Sequence, residues 1–214
     1  MTKEKEVKQT IIIVDDHRLF RGGLKFILET INNVEVIAEA SNGQECMDIL
    51  KNYKPSLLLL DINMPVLNGV ETTKKALDLY PDLKILVLTM FGDDVYYTTM
   101  INLGIRGFLL KDADNDEFKT AVQKVLSGGT FFSPSLLLKF IKEKSVHPPV
   151  EISKREKEVL GFICQGYSNY EISEKLFISH RTVERHRANL LQKTKSTNSI
   201  NLVVYAIKHN LYKI

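Results

Sequence analysis

Short aliphatic runs that alternate with amphipathic segments constrain the fold of this chain more than any other feature. Runs of strand length occur at residues 11–14, 34–38, 57–60, 85–88 and 107–110. Three of them contain only Ile, Val and Leu, the composition of parallel strands that are covered on both faces. Helical patterns follow the runs, at about 19–29, 44–52, 70–80, 95–102 and 115–126. The alternation predicts an α/β fold with a doubly wound, five-stranded parallel sheet.

The pattern changes after the paired glycines at 128–129. Ser133 followed by Pro134 predicts the start of a short helix that runs to about Lys142. The prolines at 148–149 cannot continue a helix, so a seam between two domains is expected there. The predicted regions are a tail (1–9), an α/β domain (10–129), a linker with a short helix (130–149) and a second, smaller domain (150–214).

The second domain is helical in pattern throughout. Glu156 and Glu171 each stand three residues after a serine, which is the spacing of a capping box. The third and fourth helices are expected to run to about residues 193 and 209. The predicted N-caps are Ser153, Ser168, Ser179, and either Thr197 or Asn198. These signals predict a small all-α domain of four helices.

Composition and charge narrow the functional classes. The chain is 44% hydrophobic and 26% charged, which is typical of a globular protein with a sizeable core. Its apolar runs have only strand length, and residues 1–9 lack the apolar stretch of a secretory signal, so we expect a cytoplasmic protein without a membrane partner. Cys46 and Cys164 are too few and too far apart for a disulfide scaffold or a zinc site, and are expected to be reduced. The second domain carries an excess of five positive charges, which favours a polyanionic partner.

Carboxylates stand at the ends of two predicted strands. Asp15 and Asp16 follow the first strand, and Asp61 ends the third. Because the carboxyl ends of parallel strands meet at one edge of the sheet, the three acids are expected to converge. Such a group can bind a hard cation, and Mg²⁺ suits it because this ion also bridges to phosphate oxygens. The spacing alone equally allows Asp15 and Asp16 to cap the following helix.

Two further side chains are expected at the same edge. Thr89 follows the fourth strand and Lys111 follows the fifth. An ammonium and a hydroxyl beside an acidic metal site favour phosphoryl transfer to a carboxylate, since both can stabilise phosphoryl oxygens.

The complete pattern of strand-end residues resembles the response-regulator receiver family, which has a flavodoxin-like fold. The resemblance covers about residues 10–130. It rests on Val14-Asp15-Asp16-His17, Asp61-Ile62-Asn63-Met64-Pro65 with Gly69, Leu88-Thr89, and Gly107-Phe108-Leu109-Leu110-Lys111. Asp112 departs from the pattern, since many receivers have Pro there.

The resemblance implies a role for each of these residues. Asp61 would accept a phosphoryl group from a histidine kinase, and Lys111 would contact that group. Mg²⁺ would be held by Asp15, Asp16, Asp61 and the backbone carbonyl of Asn63. Thr89 and Phe108 would form a switch. In physical terms, Thr89 would move to donate to the phosphoryl oxygens, and Phe108 would turn inward to fill the vacated volume.

The basic domain contains a predicted helix-turn-helix. Residues 170–176 and 180–193 form its helices, with a tight turn at 177–179, and the second helix would enter the major groove of DNA. On a helical wheel, Val183, Leu190 and Thr194 face the core, while Arg181, Arg185, Ala188 and Gln192 face the groove. Thr182, His186, Asn189 and Lys193 lie on a flank suited to phosphate contact, and Glu184 borders the groove face. A solvated charged face remains the alternative.

This domain resembles the LuxR-type helix-turn-helix, and together with a receiver it resembles the NarL/FixJ class of response regulators. The motifs are Ile152-Ser153-x-Arg155-Glu156-x-Glu158-Val159-Leu160, Gly166-x-Ser168-Asn169-x-Glu171-Ile172, Leu176-x-Ile178-Ser179-x-Arg181-Thr182-Val183-x-Arg185-His186 and Asn189-x-x-x-Lys193. The match is weaker at four positions near the last helix, Thr194, Lys195, Ser196 and Ser199. The packing of this helix is therefore in question, and so is the dimer contact that the family often forms there.

The resemblance implies a regulator of transcription, not an enzyme, that binds promoter DNA and forms a homodimer when phosphorylated. An aspartyl-phosphate phosphatase is the enzymatic alternative, but such enzymes place Asp-x-Asp after the first strand, where this chain has adjacent acids. A receiver that has lost phosphorylation is a further alternative, although every residue that the chemistry needs is present.

Overall fold

A computed structural model describes residues 8–90, 94–143 and 147–213 of the chain. The chain divides into two compact units, and the division falls between Leu126 and Ser127. Most of the predicted tail, at residues 1–7, and part of the predicted seam, at residues 144–146, lie outside the described residues.

The first unit contains a parallel sheet of five strands in the order β2-β1-β3-β4-β5. The three aliphatic strands β1, β3 and β4 lie side by side in the middle, and their aliphatic residues from Ile11 onward are almost fully buried. Complete burial on both faces explains why these segments are continuously apolar. The strands are β1 (Gln9–Val14), β2 (Val34–Ala40), β3 (Leu57–Asp61), β4 (Ile85–Thr89) and β5 (Gly107–Leu110). The helices are α1 (Arg18–Leu28), α2 (Gly43–Leu50), α3 (Gly69–Leu79), α4 (Asp94–Leu103) and α5 (Asn115–Leu126).

The doubly wound parallel fold predicted from the sequence is confirmed, with one correction. The described residues contain six strands, because Phe131–Phe132 forms a short strand, β6, in the second unit. Two residues between a glycine pair and a helix start are too few to show a periodic pattern, which is why the sequence predicted only five strands.

The second unit is otherwise helical. The predicted capping boxes at Ser153 and Ser168 are both formed, and Ser179 and Asn198 cap the last two helices through their side chains. Ser133 precedes the first of these helices as predicted. The helices are α6 (Pro134–Glu143), α7 (Lys154–Cys164), α8 (Asn169–Leu176), α9 (His180–Thr194) and α10 (Ser199–Lys208).

Helix α10 forms the centre of the second unit. Its residues 200–206 are all buried, and it packs against α6, α7 and α9. Tyr205 ties it to the proline pair, since its hydroxyl donates to the carbonyl of Pro148 at 3.2 Å and accepts from the amide of Val150 at 2.8 Å. The last helix is therefore well packed despite the loosened sequence motif, and the predicted linker helix α6 contributes to this packing.

Neither Cys46 nor Cys164 is in a disulfide, and burial raises the pKa of both thiols to about 12. Among the described residues, none of the helices has the length and apolar character that crossing a bilayer requires.

Candidate functional site

The register of the sheet brings the predicted strand-end residues to one edge. Val14 pairs with Leu60, so Asp15 comes next to Asp61 at the ends of β1 and β3. Asp61 in turn pairs with Leu88, and Thr89 pairs with Leu110. Lys111 follows directly and donates its amide to the carbonyl of Thr89 at 2.8 Å. Residues from four strands, which are distant in the sequence, thus share one edge.

Lys111 links the two buried aspartates. Its Nζ lies 2.7 Å from Oδ2 of Asp15 and 2.8 Å from Oδ2 of Asp61. Asp15 is fully buried and Asp61 is 3% exposed, so these ions are largely removed from water. Burial raises the pKa of the Asp61 carboxyl, although the Lys111 ammonium opposes the shift. For Lys111 burial lowers the pKa, but the bonds to Asp15 and Asp61 outweigh burial and leave it raised.

The loop after Asp61 depends on a close backbone approach. The amide of Gly69 donates to the carbonyl of Ile62 at 2.8 Å. A Cβ at position 69 would lie 2.3 Å from the carbonyl oxygen of Asp61, a distance that no side chain can tolerate. Asn68 then caps α3 by accepting from the amide of Glu71 at 2.9 Å. Glycine is therefore needed at 69 to bring the start of α3 against Asp61.

The acids form a group that fits a hard metal ion. Asp15, Asp16, His17 and Asp61 each offer one ligand atom, and these atoms all lie within 4.8 Å of one another. Carboxylate oxygens and an open side towards solvent, where Asp16 lies, are what Mg²⁺ prefers. The N-cap residue of α1 is His17 and not either acid, although Oδ1 of Asp15 accepts from the His17 amide at 2.8 Å.

His17, Phe20 and Arg21 also contribute to the site, although the sequence assigned them no role. The Nδ1 atom of His17 lies 2.8 Å from Oδ1 of Asp16. Phe20 places its ring 5.0 Å from Nζ of Lys111, and Arg21 donates to the backbone carbonyl of Asp15 at 2.6 Å. The three lie on or just before α1, which directly follows the acids, and that proximity is the signal that could have identified them.

The remaining predicted receiver residues differ in their placement. Asn63 is exposed in the loop after β3. Thr89 is completely buried, and its hydroxyl donates to the carbonyl of Met90 at 3.2 Å. Phe108 is 1% exposed and packs edge-to-face on Tyr97, with the ring centroids 4.8 Å apart. The ring of Phe108 is therefore buried inside the domain, and the switch motion expected of it stays a prediction.

In the second unit, burial divides α9 as the helical wheel predicted. The three residues expected to face the core, Val183, Leu190 and Thr194, are buried. The four expected to face the groove, Arg181, Arg185, Ala188 and Gln192, are exposed. On the flank Thr182, His186 and Asn189 are half-buried, whereas Lys193 is exposed. Glu184 is exposed and lies 3.4 Å from Nδ1 of His180, measured from its Oε1.

The turn before α9 has the geometry that a helix-turn-helix requires. Phe177 adopts a left-handed conformation with φ of 52°, which ends α8, and the amide of Ile178 donates back to the carbonyl of Ser173 at 3.1 Å. Arg155 of α7 also donates to the carbonyl of Leu176 at 3.0 Å. The end of α8 is thereby fixed relative to α7 and to the start of α9.

Two basic residues of α9 are bonded to protein groups. Nζ of Lys193 lies 2.8 Å from Oε2 of Glu156 in α7. Arg187 donates to the hydroxyl of Ser199 in α10 at 2.7 Å and to the carbonyl of Tyr167 at 3.4 Å. The sequence had placed Lys193 among the phosphate contacts and gave Arg187 no role.

Comparisons with known proteins agree with both units. The family described as response regulator receiver domain matches residues 11–123, and the luxR family of bacterial regulatory proteins matches residues 150–206. The transcriptional regulatory protein DegU of Brevibacillus brevis is 38% identical over 98% of this chain and 97% of its own length. The oxygen regulatory protein NreC of Staphylococcus aureus is 37% identical over 94% of this chain and 98% of its own.

A solved structure matches along most of the chain. The complex of the two-component response regulator RcsB with DNA matches with a TM-score of 0.58 and 26% identity, covering 94% of this chain and 98% of that one. The chain therefore belongs to the two-component response regulators, and its LuxR-type domain makes it a transcription regulator and not an enzyme. Within them it is a member of the NarL/FixJ class, with a receiver followed by a LuxR-type DNA-binding domain. This assignment decides against the phosphatase alternative.

Proposed function

We propose that a histidine kinase phosphorylates Asp61 and that this modification switches promoter binding by the second unit. The observation that carries the proposal is the position of Lys111, whose Nζ lies 2.7 and 2.8 Å from the carboxylates of Asp15 and Asp61. A buried cation bonded to the acceptor carboxylate is placed to contact oxygens of a phosphoryl group on Asp61. Receivers as a family imply a kinase as phosphodonor, which agrees with this role.

The transfer uses atoms that the site already orients. Oδ1 of Asp61 accepts from the amide of Ile62 at 2.8 Å, and Oδ2 contacts Lys111. One of these oxygens forms the new bond to phosphorus while the bond between phosphorus and the kinase imidazole breaks, and the electron pair remains on the imidazole. Asp15, Asp16, Asp61 and the backbone carbonyl of Asn63 would hold Mg²⁺, which supplies positive charge to the phosphoryl oxygens.

Thr89 would transmit the change. Its hydroxyl donates to the carbonyl of Met90 at 3.2 Å, and a phosphoryl group on the neighbouring strand offers it stronger, charged acceptors. A change of hydrogen-bond partner would alter the backbone after β4 and the packing of Phe108 against Tyr97. Tyr97 lies in α4 and Phe108 lies in β5. In this proposal α4 and β5 together form the element that changes between two states.

The exposed side of α9 is the proposed DNA contact surface. Arg181, Arg185 and Ala188 would face base edges, with Glu184 beside them, and Thr182, His186 and Asn189 would contact phosphates. Exposed arginines in a helix-turn-helix support this, because Arg recognises guanine through two hydrogen bonds. A regulator that acts on promoter DNA is expected in the cytoplasm, and two half-sites in the DNA would indicate a homodimer.

Intact-mass analysis tests the first step. Incubation with Mg²⁺ and acetyl phosphate should add one phosphoryl group to the protein, and Asp61→Asn should prevent the addition. Asp16→Ala should slow it strongly, whereas Asp112→Asn, at an exposed acid beside Lys111, should leave it unchanged. DNA affinity should rise with phosphorylation in the unmodified sequence and stay constant in Asp61→Asn. Undiminished phosphorylation of Asp61→Asn would show that the acceptor is another residue.

A further inference from the structure

The basic residues of α9 fall into two groups that the sequence does not distinguish. Arg181 and Arg185 are exposed, and within the described parts of the chain no hydrogen bond or ion pair engages either of them. Arg187 and Lys193, in contrast, are bonded to other elements of the second unit. We propose that Arg187 and Lys193 are positioning residues that hold α9 in the orientation needed for DNA, and that neither contacts phosphate. This inference rests on the proposed DNA binding by α9.

Lys193 is bonded to an acid that already has a structural role. Glu156 is 4% exposed, and its Oε2 accepts from the amide of Ser153 at 2.9 Å and from the Ser153 hydroxyl at 2.8 Å. Lys193 is the third donor to this same oxygen, at 2.8 Å. One buried atom therefore joins the first turn of α7 to the last turn of α9. Removing Lys193 would leave a buried carboxylate without its counter-ion, which is a strong physical reason for the lysine to stay in place.

The bonds of Arg187 fix the middle of α9. One guanidinium nitrogen donates to the hydroxyl of Ser199, the first residue of α10, and another to the carbonyl of Tyr167 between α7 and α8. A planar guanidinium can serve two acceptors in fixed directions, whereas an ammonium cannot reproduce this arrangement.

Together the two residues fix α9 at two points along its length. Lys193 acts at its C-terminal end against α7, and Arg187 acts about 1.7 turns earlier, against α10 and the α7–α8 connection. The groove-facing residues Arg181 and Arg185 precede both points, so a small rotation of α9 would displace them from the base edges. A contact to bases tolerates little displacement, since its hydrogen bonds have a narrow geometry.

The sign of the effect of Glu156→Gln separates positioning from phosphate contact. Glutamine keeps an oxygen for the amide and hydroxyl of Ser153 but lacks the charge that holds Lys193. If Lys193 contacted phosphate, removal of the nearby acid would release the lysine and strengthen DNA binding. If the pair positions α9, Glu156→Gln should instead weaken binding, on the order of tenfold, as expected for residues in direct contact. Lys193→Met should cause the same loss, and the double variant should lose no more than either single variant.

Salt dependence supplies a second readout. The full-length protein would be titrated with a duplex that it selects from random sequence, and with a scrambled duplex, at several salt concentrations. Arg185→Met is the matched control for a base contact on the same helix, and it should lower affinity for the selected duplex more than for the scrambled one. Removal of a cation that contacts phosphate would instead reduce the slope of log K against log salt by about 0.9. Lys193→Met and Arg187→Lys should leave the slope unchanged while they lower the affinity. Arg187→Lys conserves the charge, so a contact with phosphate would survive this substitution. The two hydrogen bonds from Arg187 to Ser199 and Tyr167 would not survive it.

Stronger binding by Glu156→Gln, or a slope for Lys193→Met that falls by about 0.9, would overturn the inference for Lys193. Unchanged DNA affinity in Arg187→Lys would overturn the inference for Arg187. This variant remains informative even if circular dichroism shows that Glu156→Gln does not fold. If the unaltered protein selects no duplex, or Arg185→Met has no effect, the proposed DNA surface itself is wrong.

Discussion

Two opposing influences act on the pKa of the Asp61 carboxyl. Burial and the neighbouring Asp15 raise this pKa, while Lys111 and the amide of Ile62 lower it, and the net shift is upward. A carboxylate that is costly to keep ionised in the folded protein is a reactive group held at the expense of stability. The phosphoryl acceptor proposed here is therefore expected to destabilise the fold when Mg²⁺ is absent.

Replacement of Asp61 by Asn should consequently stabilise the protein. Because the pKa is raised in the folded state, the unsubstituted protein loses stability as the pH rises through that pKa, and asparagine does not. In EDTA at pH 7 the free energy of unfolding of Asp61→Asn should exceed that of the unsubstituted protein by about 1 kcal/mol. The difference should vanish below the ordinary Asp pKa of 3.8, where both side chains are neutral. Urea denaturation at both pH values measures this, and an equal or lower stability at pH 7 would contradict it.

At the scale of elements, the sheet and its edge could be predicted because each depends on local sequence. The aliphatic runs mark the strands, and residues just past parallel strands must share an edge, so Asp15, Asp61 and Lys111 were brought together correctly. The pairing of Glu156 with Lys193 had no such signal. The two lie in different helices, and the capping box already accounted for the glutamate, while helical periodicity gave the lysine an exposed position. Contacts between helices depend on packing angles that the sequence pattern does not specify.

The loop between β3 and α3 contains a strained residue. Val66 adopts a left-handed conformation with φ of 69°, which is unfavourable for a β-branched residue. The side chain is 82% exposed, so burial does not compensate for this strain. Asparagine tolerates this region, and Val66→Asn should raise the free energy of unfolding by about 1 kcal/mol. Val66→Thr is the control, since it adds polarity but keeps the β-branch and the strain. If urea denaturation showed the same gain in stability for both variants, the gain would come from polarity and not from relief of backbone strain.

At the scale of the whole molecule, regulation requires that chemistry at Asp61 in the first unit alters DNA binding by the second. Thr89 is the residue in this chain best placed to separate the two steps. It lies at the end of β4, next to the strand that carries Asp61, and its buried hydroxyl has an acceptor, the carbonyl of Met90, that it could exchange for a phosphoryl oxygen. It is not among the acids that could hold the metal, so the acceptor and the metal site remain when the hydroxyl is removed.

Thr89→Ala should therefore uncouple phosphorylation from DNA binding. Acetyl phosphate with Mg²⁺ should still add one phosphoryl group to this variant, as intact mass would show, because Asp61, Lys111 and the acids are unchanged. The rise in DNA affinity that accompanies phosphorylation should be lost, since no hydroxyl remains to change partners. Thr89→Ser, which keeps the hydroxyl and lacks only a methyl group, should retain most of the rise and controls for packing in this buried position. Both variants would be titrated with the same duplex before and after phosphorylation, and the bound phosphoryl would be quantified in each sample. A full rise in affinity for phosphorylated Thr89→Ala would mean that the signal leaves Asp61 by another route, and attention would pass to the loop between β3 and α3.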